Sequence, residues 1–156
     1  MIFRNPTCGD LVFDQVIDEL CTFLAEETTA AYCVTIGSDS EQRAGAVEFV
    51  SAIVIHRKGR GARYFYMRTT QSPFPTLRER IWHEAILSTS LARSVLDALT
   101  TREAWYSDIE VHVDIGENGE TKKLIREICG FVRASGFPVC IKPEAYAAAA
   151  VADRYT

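Results

Sequence analysis

The fold is decided by residues 32–67, YCVTIGSDSEQRAGAVEFVSAIVIHRKGRGARYFYM. This stretch contains three segments rich in β-branched, aliphatic and aromatic residues, at 32–36, 47–56 and 63–67. Glycine-containing segments separate them, the first of which is Gly37-Ser38-Asp39-Ser40. Such segments favour strands, and short connections favour antiparallel neighbours. We therefore predict a three-stranded antiparallel meander.

Helices and strands alternate on the carboxyl side of this meander. Thr76 with Glu79 three residues later is typical of a helix start, which predicts a helix over about 77–99. A fourth strand follows at 109–115, then a helix that starts at Thr121 and stops at Gly136. A short fifth strand at 137–141 and an alanine-rich helix at 145–153 complete the pattern. Before the meander, apolar residues recur at helical spacing within residues 11–26, which predicts an amphipathic helix.

This order predicts an α/β fold. It consists of a mixed five-stranded sheet, with three antiparallel strands and then two parallel ones, helices on both faces and an extra N-terminal helix. Right-handed crossovers place the fourth strand parallel to the first. The length of 156 residues predicts one domain over 1–156, with the N-terminal helix at about 11–26 and the core at about 31–156.

Composition excludes several classes of protein. The chain has 17 Lys and Arg against 21 Asp and Glu, with 47% hydrophobic residues, which excludes a strongly basic coat protein and a disordered chain. No apolar run approaches the roughly 20 residues of a membrane helix, and the first residues contain no signal-peptide pattern. We therefore expect a cytoplasmic protein without a membrane partner.

The cysteines indicate a reducing compartment. All five are widely spaced and no CxxC pair occurs, which argues against a zinc site or a disulfide framework. We predict that they are small apolar core residues. The residues concerned are Cys8, Cys21, Cys33, Cys129 and Cys140.

Two aspartates mark the carboxyl ends of predicted strands. Asp39 lies just past the first strand and Asp114 near the end of the fourth. Each alone is also typical of a strand-ending turn. If the two strands are parallel neighbours, however, their carboxyl ends adjoin, where open α/β sheets bind ligands. Two carboxylates about 4 Å apart repel each other by roughly 4 kcal/mol at an effective dielectric of 20. Mg²⁺ or Mn²⁺ relieves that repulsion, so we predict a metal site.

Two further acids belong to predicted helices. Glu84 lies on the apolar stripe of the long helix, between Ile81 and Ser88, whereas the start of that helix already explains Glu79. The pattern therefore favours Glu84 over Glu79 as a site residue. Asp153 ends a helix of small residues that can approach the sheet closely, although an acid at that position is also typical of a frayed end.

The set of a strand-end Asp, a helix Glu, a second strand-end Asp and a last-helix Asp resembles the ribonuclease H-like superfamily. Closer still, four motifs resemble a bacterial family of short standalone proteins, which are predicted RNase H-related nucleases. The motifs are Ile36-Gly37-Ser38-Asp39-Ser40, Leu77-Arg78-Glu79-Arg80-Ile81, Asp114-Ile115-Gly116 and Ala152-Asp153-Arg154-Tyr155-Thr156. The likeness covers nearly the whole chain from Tyr32 onward.

The resemblance implies two-metal phosphodiester hydrolysis with two Mg²⁺ or Mn²⁺ ions. Asp39 would bridge both ions, Glu84 and Asp114 would hold one, and Asp153 would help to hold the other. The implied substrate is RNA, an RNA/DNA hybrid or structured nucleic acid. Many RNase H enzymes have a mobile histidine before the last helix, where this chain has Lys142-Pro143-Glu144. The alternative is a non-catalytic module of the same fold that binds nucleic acid or a protein partner.

Basic residues are densest at the turn between the second and third strands. A charged turn is common for solubility alone. The functional alternative is contact with phosphates of nucleic acid, aided by Lys122, Lys123 and Arg126 on the side of the fifth strand. The candidates are Arg57, Lys58, Arg60, Arg63, Lys122 and Lys123.

Overall fold

The structure, a computed structural model, describes residues 1–104, 109–117 and 120–156, without the side chains of residues 120, 121 and 146–149. The strands in this part are β1 (Ile2–Asn5), β2 (Gly9–Val12), β3 (Tyr32–Arg43), β4 (Ala46–Arg57), β5 (Ala62–Gln71), β6 (Ile109–Val113) and β7 (Val139–Cys140). The α-helices are α1 (Phe13–Glu26), α2 (Leu77–Thr101), α3 (Ile125–Ala134) and α4 (Tyr146–Tyr155), and a 3₁₀ turn (Glu120–Leu124) leads into α3.

The strands form a mixed sheet in the order β2-β1-β5-β4-β3-β6-β7. Strands β3, β4 and β5 are antiparallel neighbours, β6 is parallel to β3, and β7 is parallel to β6. The predicted α/β fold is thereby confirmed, with the five predicted strands as β3 to β7. The hairpin of β1 and β2 adds two strands beyond β5, which it joins where Arg4 pairs with Tyr66.

Helices cover both faces of the sheet. The main core joins α1, α2 and α3 to one face, where Ile36 and Ile53 are fully buried. On the other face Ala152 of α4 packs against Val50 and Ala52 of β4. Because Ala152 is small, α4 can approach β3 and β4 closely at this point. None of the helices within the described ranges has the length and apolar character needed to cross a membrane.

The long helix starts as predicted and the following one does not. The Thr76 hydroxyl accepts a hydrogen bond from the backbone N–H of Glu79 at 3.2 Å, which caps α2. By contrast α3 begins at Ile125, and its N-cap Leu124 makes no side-chain cap. The prediction of an α-helix from Thr121 is wrong, because residues Glu120–Leu124 form a 3₁₀ turn.

Strand β3 is longer than the sequence indicated, which corrects the position of Asp39. The Gly37-Ser38-Asp39-Ser40 segment does not end the strand, because its pairing with β4 continues as far as Arg43 opposite Ala46. The strand accommodates Ser38 and Ser40 because both side chains, although buried, form hydrogen bonds. Asp39 therefore lies within β3. Parallel pairing with β6 nevertheless stops at Ser38 opposite Val113, so Asp39 lies just beyond the end of the parallel pair.

Candidate metal centre

Asp39 and Asp114 meet where β3 and β6 separate. Each directly follows the last paired residues of that parallel pair, Ser38 and Val113. Partial burial raises the pKa of Asp39, and the negative charges of Asp114 and Asp153 raise it further. The Thr156 hydroxyl donates a hydrogen bond to Asp39 Oδ2 at 3.0 Å, which lowers the pKa of Asp39 and partly offsets this increase. The sheet thus brings together two acids that are far apart in the chain.

Glu84 approaches this pair from α2. Its side chain is only 5% exposed, and Ser40 of β3 donates a hydrogen bond to Oε1 at 2.5 Å. Burial raises the pKa of Glu84 to about 8, and the charges of Asp39 and Asp114 contribute to the increase. Glu79 is exposed at the start of the same helix, where it contacts Thr76. The fold thus places Glu84, rather than Glu79, beside the two aspartates.

Asp153 reaches the cluster from α4. The end of this helix is held by Tyr155, which stacks on Tyr66 of β5 with ring centroids 3.8 Å apart and planes 7° apart. Asp153 is exposed, and its charge acts on Asp39. The other three acids predicted from the sequence therefore lie within electrostatic reach of Asp39. The Thr156 hydroxyl is an additional contact that sequence reasoning did not identify.

Lys142 is the main residue that sequence reasoning missed. Its Nζ lies 2.8 Å from Asp114 Oδ1, and its backbone N–H donates to the Ile115 carbonyl at 2.9 Å. The hydrogen bond to Asp114 raises the pKa of Lys142, and the charges of Asp39 and Asp153 add to this effect. The loops that carry Asp114 and Lys142 approach closely at Gly116, where a Cβ atom would lie 3.3 Å from that of Lys142.

The donor set fits a hard divalent cation. Asp39, Glu84, Asp114 and Asp153 supply carboxylate oxygens, which Mg²⁺ and Mn²⁺ prefer. Their negative charge exceeds the compensation that Lys142 and Arg80 offer. A cleft of about 750 Å³ opens beside Asp114 and is bordered by Lys142 and Pro143. The site is thus acidic, with Glu84 buried, Asp153 exposed and an open cleft beside Asp114.

The basic turn between β4 and β5 lies elsewhere. Arg57 is 2.6 Å from Glu26, Arg60 is 2.9 Å from Glu27, and Arg63 is 2.7 Å from Glu26, so these arginines hold α1 against the turn. Lys58 is exposed in the same turn. Arg57 pairs with the first residue of β3, and Asp39 lies seven residues further along. At about 3.3 Å per residue the separation is roughly 23 Å.

Lys122 and Lys123 occupy a different position. Both are exposed in the 3₁₀ turn that follows β6. This turn comes after the strand end that carries Asp114, whereas the basic turn lies at the opposite end of β3. Of the predicted nucleic-acid contacts, these two lysines therefore come closest in the chain to the acidic cluster.

Comparison with known proteins agrees with this architecture. The sequence profile of the family described as "Ribonuclease H-like" matches residues 15–156. The chain belongs to the ribonuclease H-like family. A relative from Bacillus subtilis (strain 168), named "Uncharacterized protein YkuK", is 32% identical over 166 residues, which cover 99% of this chain and 96% of the relative. No solved structure is significantly similar. The ribonuclease H-like assignment supports a nuclease-type fold.

Proposed function

We propose that this protein is a divalent-metal-dependent nuclease that hydrolyses phosphodiester bonds in RNA, RNA/DNA hybrid or structured nucleic acid. The observation that carries the proposal is the convergence of Asp39, Glu84, Asp114 and Asp153 from four separate elements. The ion pair between Lys142 and Asp114 does not explain the whole convergence, because the other acids gathered at the same point still repel one another. Membership of the ribonuclease H-like family also supports a nuclease function.

Each acid has a distinct place in the proposed site. Asp39 is central, because the charges of Asp114 and Asp153 act on it and its own charge acts on Glu84. We propose that these four residues hold two Mg²⁺ or Mn²⁺ ions. Such a pair, when bound, supplies a water-derived nucleophile and stabilises the leaving 3′ oxygen. Ser40 orients Glu84 through its hydrogen bond, and burial excludes water from that side of the site.

The substrate would enter from the open side. The cleft beside Asp114 is bordered by Lys142, and Lys122 and Lys123 follow the same strand. Lysine side chains contact phosphates without sequence preference. The ion-paired arginines of the β4–β5 turn are roughly 23 Å from the level of Asp39 in the sheet, so we assign the phosphates that flank the cleaved bond to the lysines instead.

The test combines metal binding with cleavage. Mn²⁺ should raise the thermal unfolding midpoint of the native protein. At 100 times the dissociation constant the free energy of unfolding should increase by about 2.7 kcal/mol. Labelled RNA, hybrid and branched DNA should be cut with Mn²⁺ and left intact with a chelator. Asp39→Asn should abolish both effects. Asp97→Asn makes the same change on the exposed surface of α2 and should preserve both.

One observation favours the non-catalytic alternative. The Lys142 ammonium already compensates Asp114 without any ion. A protein that binds nucleic acid in the presence of a chelator, shows no Mn²⁺ stabilisation and cuts no substrate would be a binding module. Asp39→Asn would then leave nucleic-acid binding unchanged, and the nuclease proposal would be wrong.

A further inference from the structure

A second group of metal-binding side chains lies on β6 and β7, separate from the four acids. Glu110 and His112 alternate along β6 and so point to the same face of the sheet. Cys140 of β7 pairs directly with His112 in the parallel register. Three different ligand types, a carboxylate, an imidazole and a thiol, therefore share one small area at the edge of the sheet.

The two distances from Glu110 to the other donor atoms match the ligand spacing of a tetrahedral site. Glu110 Oε2 lies 3.5 Å from His112 Nε2 and 3.7 Å from Cys140 Sγ. All three donor atoms lie within 4.8 Å of one another. Ligands bound to zinc at 2.0–2.3 Å lie about 3.3–3.8 Å apart. The separation of 3.5 Å is long for a hydrogen bond to an imidazole nitrogen, but it suits two atoms that share one ion.

His112 supplies an independent indication. His112 is only 5% exposed, and its Nδ1 atom is buried without a hydrogen-bond partner in the described part of the chain. The backbone of Ala145 lies near the imidazole of His112, but it forms no hydrogen bond of good geometry with Nδ1. Metal-bound histidines carry the proton on the distal nitrogen and donate it to a carbonyl or carboxylate. A metal on Nε2 would fix that tautomer and direct the Nδ1 proton toward the backbone.

The charge of Glu110 has no strong partner here. In the ranges that the structure describes, its one ion-pair contact is with the imidazole of His112, and neither Lys nor Arg pairs with it. A divalent cation would compensate the carboxylate and would bind the thiolate form of Cys140 at the same time. Sulfur and nitrogen ligands select zinc-class ions over Mg²⁺.

We propose that Glu110, His112 and Cys140 bind one Zn²⁺ ion, with a fourth position open to water or another ligand. The ion would cross-link β6 to β7, whose regular pairing comprises only Val139 and Cys140. The chain then leads directly to Lys142 and α4, so the ion would secure the edge that delivers both to the acidic cluster. This zinc site does not depend on the proposed nuclease activity.

The test uses Co²⁺ as a spectroscopic substitute for Zn²⁺ on the chelator-treated, full-length protein. One equivalent of Co²⁺ should produce a thiolate-to-cobalt charge-transfer band, and Zn²⁺ should displace it. Cys140→Ser should abolish the band. Cys21→Ser removes another partly buried thiol, on α1, and should retain it. Asp39→Asn should also retain it, which separates this site from the proposed nuclease centre.

A second measurement needs no variant. One equivalent of Zn²⁺ should slow alkylation of Cys140 by roughly tenfold or more, because the metal-bound sulfur is a poorer nucleophile than the free thiolate. Mg²⁺ should not slow it. Absence of the band in the native protein, its persistence in Cys140→Ser, or equal alkylation rates with and without Zn²⁺ would each overturn the proposal.

Discussion

Replacing Glu84 by Gln should stabilise the metal-free protein at neutral pH. Glu84 is buried, and its pKa rises from 4.5 to about 8 in the folded chain. The folded state therefore binds this proton more tightly than the unfolded state does. The resulting stability is fully present below pH 4.5 and is lost as the pH rises to about 8. Gln keeps an oxygen that can accept the Ser40 hydrogen bond but carries no charge.

The size of the expected stabilisation follows from the rise in the pKa of Glu84. Each pKa unit corresponds to about 1.4 kcal/mol. At pH 7 the folded chain still keeps Glu84 mostly protonated, and holding this proton costs roughly 3 kcal/mol of stability relative to low pH. Above pH 8 the buried carboxylate is charged and the cost reaches about 5 kcal/mol. In a chain of this size 3 kcal/mol raises Tm by roughly 6–12 °C. We expect that increase for Glu84→Gln in the presence of a chelator at pH 7, and little difference from the native protein at pH 4.5.

The assay is thermal unfolding between pH 4.5 and 8.5, with chelator or with Mn²⁺. Mn²⁺ should stabilise the native protein and should have less effect on Glu84→Gln. Glu79→Gln makes the same change at the exposed start of the same helix, and its effect should stay within about 0.5 kcal/mol at every pH. A Glu84→Gln protein that is no more stable than the native one at pH 7, or equally stabilised at pH 4.5, would refute the reasoning.

Two other substitutions test the parts that surround the acids. Lys142→Met removes the ammonium from Asp114. Because the Lys142 side chain is largely exposed, we expect a loss of at most about 1 kcal/mol without metal and up to about fivefold tighter Mn²⁺ binding by calorimetry. Weaker binding would contradict competition between the ammonium and the ion. Tyr155→Ala removes the ring that stacks on Tyr66 and should greatly reduce the stabilisation by Mn²⁺. Tyr155→Phe loses only the 2.8 Å hydrogen bond to Tyr64, so it should cost about 1 kcal/mol and keep the response to Mn²⁺. Equal responses to Mn²⁺ in the two variants would show that α4 does not position the site.

Local patterns in the sequence were sufficient for most of the fold. Strands β3 to β7 and the four helices arise from apolar periodicity, and the parallel placement of β6 beside β3 explains why Asp39 and Asp114 meet. Glu84 could be chosen over Glu79 because a carboxylate on a buried helical stripe requires a reason, whereas Thr76 accounts for Glu79.

Features that depend on distant partners could not be predicted in this way. The hairpin of β1 and β2 contains four residues in each strand, too few for a periodic signal, and its place is set by the edge of β5. The contact between Lys142 and Asp114 depends on how the chain returns after β7, which no local pattern encodes. Cys140 looked isolated because its neighbours in space, Glu110 and His112, are about 30 residues away in the chain.

The distribution of strand lengths has a consequence for self-association. The three longest strands, β3, β4 and β5, are all interior, whereas the edges are β2 with four residues and β7 with two. Arg4 and Asp10 also place an ion pair at the β2 edge. An incoming strand thus finds only four residues to pair with at the β2 edge and two at the β7 edge, which disfavours growth of the sheet from either of these terminal strands.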